Sequence, residues 1–494
     1  MVLWFIVLYG ITAMGIGAYK YLRCHSVSDY ILGNRHSPAH FAGLAAQTTL
    51  LGYLFTITVP MEVLNGSVGI TGAIFSVAGM VCGIFLSRFF ISKRIRIYSE
   101  LAGDSKSFPE YLENRFRDRS GILRAVCAAI LFIFNIIFAA NIISVSADIL
   151  NNFTNMGTNS AIALCGLIIA IFVFLGGFSA ITATGYIRAI IIFVFFVFII
   201  FSGVNSQIFN PQSEIKTGYF AEAARIVKET GAFDGILLNI MRFVSYSVVF
   251  FGIPTVNTVY MSTKERRVKK RSIAFEFAWT IPAAIGSVVC GVIAKASSNG
   301  VDIATPHEYV TALSQDAMQI VGSMIMSIIF IICLSASENA VFSATTSFSY
   351  DLFSHGTNKK RVKTDNLLFT RSCALLVTLS AVIYALVEKN SSFFSFEFVL
   401  MLISATFGPT TLFGLYSGKL TSKAAVISIT GGIMGACISN YFLPTNGLPV
   451  IIGIVPSFAV GTALLFAVSF LDRKNISKKT ENEFGRTKEI SEMK

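Results

Sequence analysis

The chain reads as a succession of apolar runs, each near the ~20 residues that a helix needs to cross the hydrocarbon core of a bilayer. Thirteen such runs fall near residues 2–19, 37–61, 67–91, 124–150, 160–178, 183–204, 234–261, 273–295, 317–353, 367–387, 392–417, 423–441 and 449–471. The pattern predicts an all-α integral membrane protein with 13 transmembrane helices. Two runs are interrupted in matched places. The second, LAAQTTLLGYLFTITVPMEV, holds Gln47, Thr48, Thr49, Gly52, Thr56, Thr58 and Pro60; the seventh, NIMRFVSYSVVFFGIPTVNTVYMS, holds Arg242, Ser245, Ser247, Gly252, Pro254 and Asn257. Five crossings separate them, so they run in opposite directions, as the first helices of two inverted repeats would. Backbone freed by an unwound helix is tolerated at membrane depth only where protein or a wet cavity receives it, and a central site is therefore expected. The plain alternative is that Gly and Pro are simply commoner in transmembrane helices than in soluble ones.

Composition agrees. Of 494 residues 54% are hydrophobic and 13% charged, against about 25% charged in soluble domains. The net charge of +12 raises the question of a nucleic-acid partner, and the placement of the basic residues answers it. Of 39 Lys and Arg, 29 lie in the loops after runs 1, 3, 5, 7, 9 and 11 and in the tail, and only four in the opposite loops. The positive-inside rule then places the N-terminus outside and the C-terminus in the cytoplasm, with the basic charge facing membrane lipids and no nucleic acid implied. The expected location is the cytoplasmic (inner) membrane, with many passes.

The first run lacks a basic stretch before it and a small-residue cleavage site after it, so it reads as a retained helix. Seven of the eight cysteines sit in the runs and no CxxC pair occurs, which suits small buried hydrophobes better than disulfides or a metal site. The charged tail, residues 472–494, is expected to be disordered. No phosphate-binding loop, metal-ligand cluster or nucleophile triad is present, so neither an enzyme nor an ATP-driven pump is expected, and no cofactor.

Four short elements carry a resemblance. SDYILGNR (Ser28 to Arg35), FPEYLENRF (Phe108 to Phe116), LGGFSAI (Leu175 to Ile181) and the GIP ending at Pro254 occur in that order. They resemble elements of the sodium:solute symporter family, most closely its sodium/proline symporter branch. The resemblance implies a five-plus-five inverted-repeat core with one helix before it and two after. On that division residues 1–36 form an extra helix and cytoplasmic loop, 37–204 the first repeat, 205–233 an extracellular loop, 234–417 the second repeat, and 418–471 two closing helices.

The resemblance also implies a sodium site where the second and ninth runs meet, built from hard oxygen ligands that suit a small hard cation. It puts the carbonyl positions near Gln47, Leu50 and Ile332 and the two hydroxyl positions at Ser335 and Ala336, so one hydroxyl is absent. The family's acid in the second run falls at Thr49, beside Thr48. A second acid falls at Gly185 and a glutamine at Arg188. Substrate-lining positions fall at Thr48, Thr49, Tyr246, Phe250 and Pro254, with Asn339 added from the ninth run.

That ninth run contains SASENAVFSATTSFSYDLF, with Glu338 among small and hydroxyl residues. At 100° per residue Ser335, Glu338, Asn339, Thr345, Thr346 and Ser349 share one face. A carboxylate at membrane depth is costly and asks for a named partner. Three roles compete for Glu338: a proton carrier, an oxygen ligand for the cation, and a counter-charge to the solute. Against them stands a helix-packing seam, since small and hydroxyl residues let helices approach closely. Arg188 offers a tethered cation in place of sodium, reaching toward Ser335 and the carbonyls of the second run, or else snorkels to the headgroups. Arg242 pairs with an acid or receives a carboxylate, while Glu276, Glu397 and Asp148 are expected to be solvated.

The reading is a secondary transporter that imports a small organic solute with sodium or a proton as the coupling cation, as a monomer or loose homo-oligomer. Amino acids such as proline, sugars, sialic acids, vitamins and carboxylates all fit the family's range. The rival reading is a transporter-shaped solute sensor or uncoupled exchanger.

Overall fold

An apolar run in lipid folds into helix because only its own chain can satisfy its backbone N–H and C=O groups. The computed structural model describes residues 2–35, 44, 51–65, 68–209, 219–230, 235–264, 270–298, 303–315, 317–353, 366–388, 395–445, 450–473, 483–487 and 489–490. Among these no sheet forms. The principal helices are α1 (Val2–Arg23), α2 (Leu51–Leu64), α3 (Gly69–Leu101), α4 (Phe108–Phe116), α5 (Ile122–Thr154) and α6 (Thr158–Val204). They continue as α7 (Ile236–Gly252), α8 (Pro254–Ser262), α9 (Lys270–Ser297), α10 (Gln319–Leu352), α11 (Leu367–Val387), α12 (Phe396–Tyr416), α13 (Ser422–Thr445) and α14 (Ile454–Leu471).

Ten helices among the described residues are long and apolar enough to cross a membrane, and the bent pair α7–α8 makes eleven. The expected thirteen is not reached on this measure, for two reasons. The second run is represented only by α2, and the fifth and sixth runs follow one another through a kink within Thr158–Val204. The two helices on either side of that kink each have the length to cross a hydrocarbon core of about 30 Å. The one non-helical residue of α6 is Gly177, at φ 51° and ψ −154°.

Gly177 shows why two of the sequence elements exist. Its backbone conformation favours glycine, and a Cβ there would stand 2.8 Å from the Tyr30 carbonyl oxygen. The Tyr30 hydroxyl donates to the Val173 carbonyl, one turn before the break, at 2.7 Å. The tyrosine of SDYILGNR thus packs beside and bonds to the helix that ends at the glycine of LGGFSAI.

The helices close around α12, whose apolar stretch is 89% buried, while α1 at 11% lies at the periphery. Between α3 and α7 the approach is glycine-mediated. A Cβ on Gly83 would meet the Ser247 Cα at 2.9 Å, and the Ser247 hydroxyl donates to the Gly79 carbonyl at 3.1 Å. α10 packs against α5 and α6, and α13 and α14 pair beside α12.

On the face carrying most basic residues, buried arginines bind the short elements down. Arg35 donates to the Met261 carbonyl at 3.2 Å and the Ser105 carbonyl at 2.9 Å and pairs with Asp104. Arg115 of α4 donates to the carbonyls of Gly414 at 2.5 Å and Ser417 at 2.7 Å. The tail, expected to be disordered, contributes a described helical turn at residues 483–487. Glu483 pairs with Arg117 and Thr487 is buried. The turn's order comes from that docking.

Glu276, expected to be solvated, is instead 2% exposed and pairs with Arg88 at 3.0 Å, tying α9 to α3. The acid lies near a span end in sequence, but a basic partner on the neighbouring helix draws it inside. Removing one partner of a buried pair strands a charge, so Glu276→Ala should cost about 3–5 kcal/mol, while replacing both by apolar residues should be nearly neutral. Thermal unfolding in detergent should therefore show a large loss for Glu276→Ala and recovery for the Arg88→Met/Glu276→Leu double variant.

Candidate functional site

A cavity of about 90 Å³ lies between the helices, with room for several waters. Its walls come from α4, α5, α6, α8, α10 and α12. Most are apolar, including Ile31, Phe108, Phe138, Phe178, Phe342 and Ile403, and the polar groups among them are two amides, a set of hydroxyls and a single carboxylate. A mostly apolar pocket with a few convergent polar groups is the usual form of a small-molecule site.

The break between α7 and α8 borders this cavity. Ile253 leaves the helical region at φ −75° and ψ 111°, and the two segments meet at 48°. Proline cannot donate, so the chain restarts at Pro254 with carbonyls to satisfy. The Asn257 amide donates to the Phe251 carbonyl at 3.4 Å and the Thr258 hydroxyl to the Pro254 carbonyl at 2.9 Å. Ile253, Pro254, Thr255 and Thr258 all face the cavity. The second run is irregular as well. Residues 54–58 of α2 form a π-helical turn, a widening that recurs at functional sites, and the Thr56 hydroxyl donates to the Gly52 carbonyl at 2.6 Å.

The polar face expected on α10 divides in two. Asn339 and Thr346 line the cavity, joined by Ala336, Ser343, Ser347 and Asp351. Ser335, Thr345 and Ser349 are buried and donate to carbonyls of their own helix, Ser335 to Ile332 at 3.0 Å. Ile332 stands close to α2, since a Cβ on Gly52 would meet its Cγ2 at 3.3 Å. Of the positions that the family resemblance assigns to a cation, Ile332 stands near α2, Ser335 is buried on the next turn of α10 and Ala336 lines the cavity, while Gln47 and Leu50 fall outside the described residues. Thr48 and Thr49 also fall outside them.

Tyr246 and Phe250 do not line this cavity. Tyr246 is fully buried and its hydroxyl donates to Glu62 Oε1 at 2.7 Å. Phe250 packs against α3, where a Cβ on Gly83 would meet its ring at 2.8 Å. Both sit on the α7 side of the break, whereas the cavity opens on the α8 side. Glu62 is the acid that sequence reasoning missed. It stands two residues after Pro60 in the interrupted second run, and a carboxylate there was signal enough. Arg242 lies on the same helix as Tyr246, is 2% exposed, and donates to Asn239 Oδ1 at 3.2 Å.

Glu338 and Arg188 form a buried pair at 3.1 Å, with side chains 7% and 2% exposed. Arg188 Nη1 also donates to the Tyr9 hydroxyl at 3.1 Å, and Nη2 to the Ile181 carbonyl at 3.4 Å. Neither charged residue lines the cavity. The guanidinium therefore reaches Glu338 and α1 rather than Ser335 and the carbonyls of the second run, and it does not snorkel. A mid-helix cation this deep is held by the acid opposite, because an unpaired charge at that depth is costly.

At the α4 end of the cavity a second network joins three helices. Asp351 Oδ1 accepts from the Ser107 hydroxyl at 2.6 Å and from Arg124 Nε at 2.8 Å. Arg124 also reaches Glu113 at 3.3 Å, and Glu110 Oε2 accepts from the Tyr350 hydroxyl at 3.1 Å.

The chain is similar along its length to known transporters. Two sodium/proline symporters of Staphylococcus aureus are each 22% identical to it. One aligns over 467 residues, covering 91% of this chain and 88% of the relative; the other, from strain Newman, aligns over 488 residues, covering 95% and 92%. A Na+-coupled sialic acid symporter solved in a substrate-bound outward-open state superposes with a TM-score of 0.75 at 16% identity, covering 95% of this chain and 98% of that one. A nucleobase-cation-symport-1 family transporter in a closed conformation gives 0.57 at 11% identity, covering 92% and 98%. The sodium:solute symporter family profile matches residues 30–435, and the chain belongs to that family.

Proposed function

We propose that this protein is a secondary active transporter that imports a small organic solute by alternating access around the cavity beside the α7–α8 break. In this reading α6 crosses twice with its turn at Gly177, giving thirteen crossings, with the N-terminus outside and the C-terminus in the cytoplasm. Residues 37–204 and 234–417 are the inverted repeats. The observation that carries the reading is the cavity's position. One wall is drawn from Phe108, Asn135 and Thr182, the other from Pro254, Asn339 and Ile403, so a rocking of one repeat against the other would open it to either side. The solute is a small organic molecule, with proline the first candidate from the named relatives, and sugars, sialic acids, vitamins and carboxylates behind it. Sodium is the first candidate for the coupling ion.

A second reading, an uncoupled exchanger or solute sensor, is favoured by two observations. Ala336 puts a methyl where the family places a hydroxyl, and Arg188 brings its own positive charge to Glu338. The two readings differ in sodium dependence. Sodium-driven symport requires a sodium gradient for accumulation, an uncoupled exchanger gives equal counterflow in sodium and choline, and a sensor binds without counterflow.

Proteoliposomes preloaded with unlabelled L-proline, and in parallel with the other solute classes, should accumulate the labelled solute for at least one of them. Counterflow in none, with binding retained, would end the transport reading. Asn339→Ala should weaken the solute's half-saturation concentration by about two- to tenfold, the worth of one hydrogen bond, and leave protein stability nearly unchanged. Glu338→Ala should lower stability by about 3–5 kcal/mol because it strands Arg188, and Arg188→Ala/Glu338→Ala should recover most of it. If the guanidinium replaces an ion, that double variant should also be the more sodium-dependent protein in uptake.

A further inference from the structure

The single carboxylate on the cavity wall is held by only one of its oxygens. Asp351 is 1% exposed. Oδ1 takes the Ser107 hydroxyl and the Arg124 guanidinium, while Oδ2 is buried without a hydrogen-bond partner among the described residues. A buried acceptor left unmade costs about 1–3 kcal/mol, more for a charged one, and asks for a ligand. Around it the lining is oxygen-rich, with Ser107, Ser343 and Ser347 facing the same cavity. Residues 347–352 form a π-helical turn that ends α10. Ser347 and Asp351 stand four residues apart in this turn and both face the cavity, a hydroxyl and a carboxylate on the same side.

We infer that Asp351 Oδ2, with the Ser347 and Ser107 hydroxyls, forms a sodium-binding station at the α4 end of the cavity, separate from the Ile332–Ser335 region beside α2. The chemistry is that of a small hard cation, which takes carboxylate and hydroxyl oxygens and needs no soft ligand. Arg124 does not cancel it. The guanidinium is directed at Oδ1 and is shared with Glu113, while Glu110 adds a further negative charge nearby. Oδ2 exposes less than 1 Å², so any cation reaches it only as the lining parts, and a bare ion needs less of a gap than a substituted ammonium. The station thus lies between the cavity and the face bearing α4, where a cation leaving on that side would be held last. It rests on the transport reading for its purpose but not for its existence.

The test is sodium binding at equilibrium, without a gradient. Thermal unfolding of the purified full chain is followed over a sodium chloride series, with choline chloride keeping ionic strength constant. Bound ligand raises the apparent stability of the native state. The wild type should be stabilised by sodium, and Asp351→Asn should need about tenfold more sodium or respond not at all. Ser347→Ala, which leaves the ion pair intact, should shift the midpoint in the same direction. Because Asp351→Asn frees Arg124, Arg124→Gln/Asp351→Asn is included as a charge-balanced form and should likewise lose the response. An unchanged midpoint in all three variants, or a response abolished only by Ser335→Ala, overturns the station. So does a wild type indifferent to sodium. L-Proline in place of sodium as the stabilising probe, losing its effect in Asp351→Asn while sodium keeps its own, would assign the carboxylate to the solute instead. Should sodium bind through Asp351 while counterflow fails for every solute, the transport reading falls and the station stands.

Discussion

Lipid offers no hydrogen bonds, so every departure from helix inside the bundle has to be answered by the protein itself. Three of the irregular places in this structure each have a named group beside them. The Tyr30 hydroxyl takes the Val173 carbonyl beside the Gly177 break, Asn257 takes the Phe251 carbonyl beside Pro254, and Thr56 takes the Gly52 carbonyl in the widened turn of α2. The breaks in turn supply what straight rods cannot. They bend α7 into α8 beside a cavity, and they bring polar side chains to its wall.

The same rule governs charge. Arg88 with Glu276, Arg188 with Glu338, and Arg124 with Asp351 each join helices far apart in sequence. A buried pair of this kind adds little net stability over an apolar substitute, but it is unforgiving of a wrong partner and so specifies which helices meet. The first pair ties α3 to α9, the second α6 to α10, the third α5 to α10. All three cross from the first proposed repeat to the second, which is the boundary that alternating access has to work across.

Much of the fold was legible because a bilayer imposes one length on every crossing, and the apolar runs carry that length openly. The break at Pro254 was legible because proline has no N–H. So was the division between the fifth and sixth runs, since the helix breaks at Gly177 inside the LGGFSAI element. The SDYILGNR and LGGFSAI elements were recognisable separately, yet nothing local says that Tyr30 serves Val173. On α10 a uniform 100° per residue put Asn339 and Thr346 at the edge of the expected polar face, while the cavity is lined by the adjoining arc through Ala336, Ala340, Ser343, Ser347 and Asp351, which that face did not include. Tyr246 was assigned to the solute by likeness of position. Its actual partner, Glu62, lies in a run whose hydroxyls and proline drew attention away from the acid.

The outermost helix has more to do than its exposure suggests. α1 is mostly turned away from the bundle, yet its Tyr9 hydroxyl completes the coordination of Arg188. A shortened chain that began at the first repeat would keep every cavity-lining residue named above except Ile31 while opening a buried guanidinium to hydrocarbon. The peripheral helix is in that sense an insulating sleeve, and its value lies in the oxygens it turns inward, the Tyr9 hydroxyl to Arg188 and the Val2 carbonyl to Ser327.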